Sequence, residues 1–141
     1  MAITRADRIT ATTVKDQIYS DILTNLNSHP VSKDVLRFVN ENAVIRSIKN
    51  LVLTDRGERL YQPNIGSSIK KLLFEPMIES TAELISQFIQ DTINTHEPRA
   101  KVLDISVVPD YNNNLYAVTL VFMIINKEDP VTLNITLDRV R

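Results

Sequence analysis

Seventeen acidic residues and two histidines are the side chains here with the reach for acid–base chemistry. Glycoside hydrolysis asks for two carboxylates about 5 to 10 Å apart, one with a raised pKa. Glu58, Glu75 and Glu97 stand beside turn residues, where a cleft can open, and are the candidates. With so many acids some such pair arises in any fold, and sugar rings would find no tryptophan and only four tyrosines to stack on. His29 and His96 each adjoin turn residues, and neither belongs to a pair spaced one helical turn apart. Metal chemistry and histidine-activated nucleophiles therefore lack support. Cysteine is absent, which removes disulfides, thiol nucleophiles and thiolate metal sites together. The two glycines, Gly57 and Gly66, are too few for a phosphate-cradling loop or a dinucleotide fingerprint.

Two charged motifs are sharper. Pro98 biases Glu97 to extended geometry, and residues two apart in an extended segment point the same way. Glu97 and Arg99 are then presented side by side where a helix turns into a strand. One reading is a local surface ion pair worth under about 1 kcal/mol. The other is a charged fork, Glu97-Pro98-Arg99, offered to a neighbouring subunit whose carboxylate Arg99 grips bidentately. The second motif is Arg56-Gly57-Glu58-Arg59. Gly57 suits a left-handed position after a helix, with its flanking charges solvated. Equally, Arg56 and Arg59 on a long loop can hold a partner's acidic surface, and Asp55 can pair with them internally.

The elements that position these motifs follow from period and punctuation. A chain of 141 residues with 43% apolar content fits one domain with a modest core. Its net charge of −1 is scattered, so nothing marks nucleic acid as a partner. No apolar run is long enough to span a bilayer, and the first residues lack the hydrophobic stretch of a signal peptide. Folding in a reducing cytoplasm is the expectation. Residues 1–17 are polar and aperiodic and read as an N-terminal arm, leaving residues 18–141 as the domain. Ile18–Leu26 and Val35–Val39, joined by turn chemistry over Asn27–Lys33, predict a hairpin. Asn40 offers an N-cap to a helix with an apolar stripe of Val44, Ile48, Leu51 and Val52, ending near Thr54. An irregular connection over 55–68 leads into a short helix through Ile69, Leu72 and Leu73, stopped by Pro76. Ser80-Thr-Ala-Glu83 reads as a capping box for a second long helix, with Leu84, Ile85, Phe88, Ile89 and Ile93 on its buried face. Pro98 ends it near Thr95 or His96.

Everything after Arg99 reads as sheet. Leu103, Ile105 and Val107 alternate with polar residues, as do Val131, Leu133, Ile135 and Leu137. Leu115 to Ile125 between them is apolar at nearly every position, as befits the middle strand of a three-stranded antiparallel meander. The fold class is α+β, with a hairpin first, then two amphipathic helices and a short one, and the meander at the end. Helices can cover one face of that sheet. Val121, Met123 and Ile125 share the opposite face, which the hairpin or another chain must cover. The two outer strands leave edges to which foreign strands can add.

These segments, in this order, resemble the baseplate wedge and sheath-initiator family of contractile phage tails and related injection machines. The resemblance rests on Arg46-Ser-Ile-Lys-Asn-Leu51, Thr54-Asp-Arg-Gly57-Glu-Arg59, Tyr61-Gln-Pro63-Asn-Ile-Gly66, Leu73-Phe-Glu75 and Glu97-Pro98-Arg99. It covers about residues 44 to 141. The family more often has Phe where Tyr61 stands, and the first forty residues match little beyond Tyr19-Ser-Asp21. The resemblance implies a structural protein of the tail baseplate, assembled in the host cytoplasm, without cofactor, metal or small-molecule ligand. Its implied partners are other wedge subunits, the tail sheath subunit and the neighbourhood of the tail tube, with neither nucleic acid nor membrane among them. The implied contact residues are Glu97, Pro98, Arg99, Arg56, Arg59, Val121, Met123 and Ile125. Lysozyme-like activity has been attributed to the family, and paired carboxylates are the enzymatic alternative.

Overall fold

The helical period and the strand alternation act on different parts of the chain, and the structure keeps them apart. A computed structural model describes residues 18–23, 27–31, 33–125, 127 and 129–139. The expected arm over residues 1–17 lies outside them. Strands β1 (Ser20–Ile22) and β2 (Arg37–Val39) pair antiparallel, Ser20 opposite Val39. This is the expected hairpin with much shorter strands, extended by a bridge between Ser28 and Val35. Helix α1 (Glu41–Leu53) buries Val44, Ile48, Leu51 and Val52, the stripe read from the sequence, and adds Ala43. After the 54–68 connection come α2 (Ile69–Leu72) and α3 (Glu79–His96). Strands β3 (Ala100–Asp110), β4 (Leu115–Ile124) and β5 (Val131–Asp138) form an antiparallel meander in the order β3-β4-β5.

Tyr116, Val118, Leu120, Phe122 and Ile124 of β4 point into one core with Ile85, Ile89 and Ile93 of α3 and Val44, Ile48 and Val52 of α1. Val131, Leu133, Ile135 and Leu137 of β5 join them, alternating strictly with exposed residues. Burial of an aliphatic or aromatic side chain stabilises by about 1.5–3 kcal/mol, so this inward face dominates the fold's stability.

Four local expectations give way to tertiary contacts. Asn40 precedes α1, but its side chain does not cap the helix. With φ at 52°, it turns Oδ1 back to accept hydrogen bonds from the Ile18 and Tyr19 amides at the start of β1. Ser80-Thr-Ala-Glu83 is not a capping box, because α3 already begins at Glu79, with Ile78 in the cap position. The Ile78 carbonyl accepts from the Thr81 and Ala82 amides, and the Thr81 hydroxyl donates to the Pro76 carbonyl. Leu84 and Phe88 are exposed, because the buried stripe of α3 runs through Thr81, Ala82, Ile85, Ile89, Thr92 and Ile93. Leu103 is exposed as well. A bulge between Val102 and Asp104 shifts the register by one, so Val102 takes the inward place ahead of Ile105 and Val107.

Candidate functional site

Pro98 stops α3 at His96, and Glu97 follows as its C-cap, its amide donating to the Ile93 carbonyl. The backbone after it is not extended, as the proline had suggested, but a turn closed by the Ala100 amide on the Glu97 carbonyl at 3.2 Å, and this turn brings Arg99 back to Glu97. Arg99 Nε donates to Glu97 Oε1, and Nη2 donates to Oε2 at 2.7 Å, a two-pronged pair. Ser47 Oγ, on α1, donates to the same Oε2. Glu97 is only 2% exposed, so this is no surface ion pair. Burial pushes its carboxyl up, but the hydrogen bonds from Arg99 and Ser47, with the Arg99 charge, outweigh burial and hold it below the usual glutamate value. The bond to Glu97 raises Arg99 in turn, against its own desolvation. The Arg99 guanidinium lies over the Tyr19 ring, 5.3 Å from its centroid, and the Arg99 carbonyl accepts from the Ile125 amide. One corner thus ties α1, α3, β4 and the segment entering the hairpin.

Beside it opens a cleft of roughly 440 Å³, lined by Ser47, His96, Glu97 and Arg99 with Asp21 and Arg59. Arg59 therefore meets the Glu97–Arg99 corner across one concavity, while Arg56 does not line it. His96 Nε2 is buried without a hydrogen-bond partner among the described residues, a feature of the cleft that the sequence reading passed over. The carboxylates proposed for hydrolysis do not share this place: Glu97 lines the cleft, whereas Glu58 and Glu75 do not. Glu58 accepts from the Asp55 amide, and Glu75 is exposed. A general acid needs a raised pKa, and Glu97 is shifted the other way.

The second candidate surface is the outward face of the sheet. Val121 and Met123 are half-buried and Ile125 is exposed, with Leu103 and Val108 of β3 exposed on that side too. The hairpin packs instead against α1, where Arg46 lies 5.3 Å from the centre of the Phe38 ring. Strands β3 and β5 each keep one edge unpaired among the described residues.

The family model described as baseplate wedge protein gp25 matches residues 39–129, well over half of the chain. The chain belongs to this baseplate wedge family. It is 28% identical over 116 residues to the baseplate wedge protein gp25 of Enterobacteria phage T4, covering 82% of this chain and 87% of that one. Among solved structures, a candidate tail lysozyme of Geobacter sulfurreducens superposes with a TM-score of 0.66 at 20% identity, over 70% of this chain and 89% of that one. A chain of the anti-feeding prophage baseplate gives 0.61 at 20% identity, covering 87% of both. A chain of the type VI secretion baseplate complex gives 0.52 at 15% identity, over 67% of this chain and 91% of that one. At such identities these structures speak for the shared family fold, the lysozyme description included.

Proposed function

We propose that the chain is a structural subunit of a contractile-tail baseplate. It joins other wedge subunits beside the tail tube and offers its C-terminal sheet to the first ring of tail sheath. Beyond family membership, the observation that carries this reading is the sheet: one face is packed to the core, while the other leaves Val121 and Met123 half-buried and Ile125 exposed beside two edges unpaired among the described residues. An added strand gains main-chain hydrogen bonds at such an edge, while alternate side chains choose the partner. Glu97, Pro98, Arg99, Arg56 and Arg59 belong, on this reading, to the side that meets the wedge. The chain is then a resident of the particle's tail baseplate, assembled in the host cytoplasm, and its role is to template rather than to catalyse. Glu58 and Glu75 lie away from the cleft that Glu97 lines, and both Glu97 oxygens are engaged by Arg99 and Ser47, which speaks against the lysozyme-like alternative.

Val121→Asp tests the reading by placing a charge on the uncovered face. Baseplates should still form and carry the variant, while electron microscopy should find them without sheath. Tails with normal sheath would refute the templating role.

A further inference from the structure

The 54–67 segment is held as a closed loop by its own backbone. At the neck, the Ser67 amide donates to the Thr54 carbonyl at 2.8 Å and the Arg56 amide to the Ser67 carbonyl at 3.1 Å. The buried Ser67 hydroxyl donates to the Val52 carbonyl, pinning the neck to the end of α1. Gly66 has φ at 129°, and a Cβ there would meet the Thr54 carbonyl oxygen at 2.7 Å. Across the loop the Gly57 amide reaches the Pro63 carbonyl, the Gln62 amide reaches Arg59 and the Ile65 amide reaches Gln62. Asp55 and Glu58 spend carboxylate oxygens on the Arg56 and Asp55 amides.

This order leaves the tip side chains outward. Leu60 is 91% exposed and Tyr61 97%. Arg56 and Arg59 flank them, and neither forms a salt bridge with a described residue. A rigid loop holding an aromatic and an aliphatic side chain in water has already spent the ordering entropy that binding costs. Tyrosine and arginine are also the side chains that most often anchor interfaces. We propose that residues 55–66 are a preformed docking knob, with Leu60 and Tyr61 seating in an apolar socket of another protein subunit and carboxylates on its rim meeting Arg56 and Arg59. The inference rests on the baseplate reading and names the chemistry of one partner surface. Complementary charge sets orientation and encounter, and the buried ring sets the lifetime of the contact.

The test uses the full chain, free and in purified tail particles made with it. Tyrosine nitration followed by peptide mass spectrometry should modify Tyr61 in the free chain and at least about tenfold less in particles, with the fully buried Tyr116 inert in both. Co-expressed with the wild type, Tyr61→Ala should enter particles about tenfold less, and so should the Arg56→Glu/Arg59→Glu pair, while the Arg56→Lys/Arg59→Lys pair enters nearly normally. Free Tyr61→Ala should melt within a few degrees of the wild type, which separates docking from folding. If the wild type enters particles but Tyr61 stays reactive there, or Tyr61→Ala competes equally, the knob is refuted and the baseplate reading stands. If the wild type is missing from particles, both fall. Tyr61-dependent binding to phosphatidylserine-containing vesicles, or Tyr61-dependent self-association in ultracentrifugation, would overturn the proposal in favour of a membrane or a second copy.

Discussion

The corner at Glu97–Arg99 and the loop at Arg56–Tyr61 look alike on paper, each a short charged motif at a proline or glycine. Their side chains do opposite things. At the corner the charges turn inward, and a carboxylate that is 2% exposed joins α1 to the end of α3. At the loop the backbone turns inward, helped by the Asp55 and Glu58 carboxylates, and Arg56, Arg59, Leu60 and Tyr61 are left to water. A charged motif thus says little until it is known whether main chain or side chain carries the internal bonds.

The sharpest way to break the comparison is Arg99→Ala. It strands the Glu97 carboxylate with Ser47 alone, and removing one partner of a buried pair typically costs about 3–5 kcal/mol. The Arg99 side chain is 35% exposed, so solvent relieves part of this and about 2–3 kcal/mol is expected in urea unfolding. A loss below about 0.5 kcal/mol would return the corner to an ordinary surface pair. The same pair carries a pH signature. Because the folded pKa of Glu97 is lowered, its stabilisation is fully present above the unfolded value and is lost as pH falls through the folded one. Wild type should therefore lose stability on acidification from the ordinary glutamate range downward. Glu97→Gln, less stable at neutral pH, should show a shallower loss over that window.

Gly66→Ala should cost less, about 1–2 kcal/mol, since a Cβ must push the Thr54 carbonyl aside from a strained backbone angle. It should also loosen the loop, seen as faster amide exchange at Ser67. The smallest effect belongs to Tyr61→Ala, below about 0.5 kcal/mol in the free chain, because its ring touches so little. A larger loss would mean that the ring serves the fold, and the contrast between the two regions would collapse.

Much of the fold was legible in the residues. The stripe of α1, the proline stop of α3 and the alternation of β5 are local patterns, and burial follows them because each buries a single face. The capping residues were not legible. Asn40 and Ser80 carry suitable side chains, but which amide an oxygen reaches depends on what else approaches, here the start of β1 in one case and an earlier helix start in the other. The bulge at Leu103 escaped because register belongs to two strands at once. Glu97 and Arg99 were found as a pair by their spacing alone. The burial of that pair depends on Ser47, fifty residues earlier, which no local pattern announces. The loop's order was hidden for a similar reason, most of its bonds being main-chain ones, and the second glycine at its neck was the one mark of them.

Asn40 also shapes how the molecule opens. One side-chain oxygen anchors the entry to β1, and the hairpin's other links to the body include two cation–ring contacts, Arg46 with Phe38 and Arg99 with Tyr19. Strands β1 and β2 hold no buried residue, whereas the inward faces of β4 and β5 are buried, so the short pair is expected to open at lower free energy than the meander. Native-state hydrogen exchange should place the amides of Ser20–Ile22 and Arg37–Val39 in the fast class, and those of Val118, Leu120 and Phe122 in the class released by global unfolding.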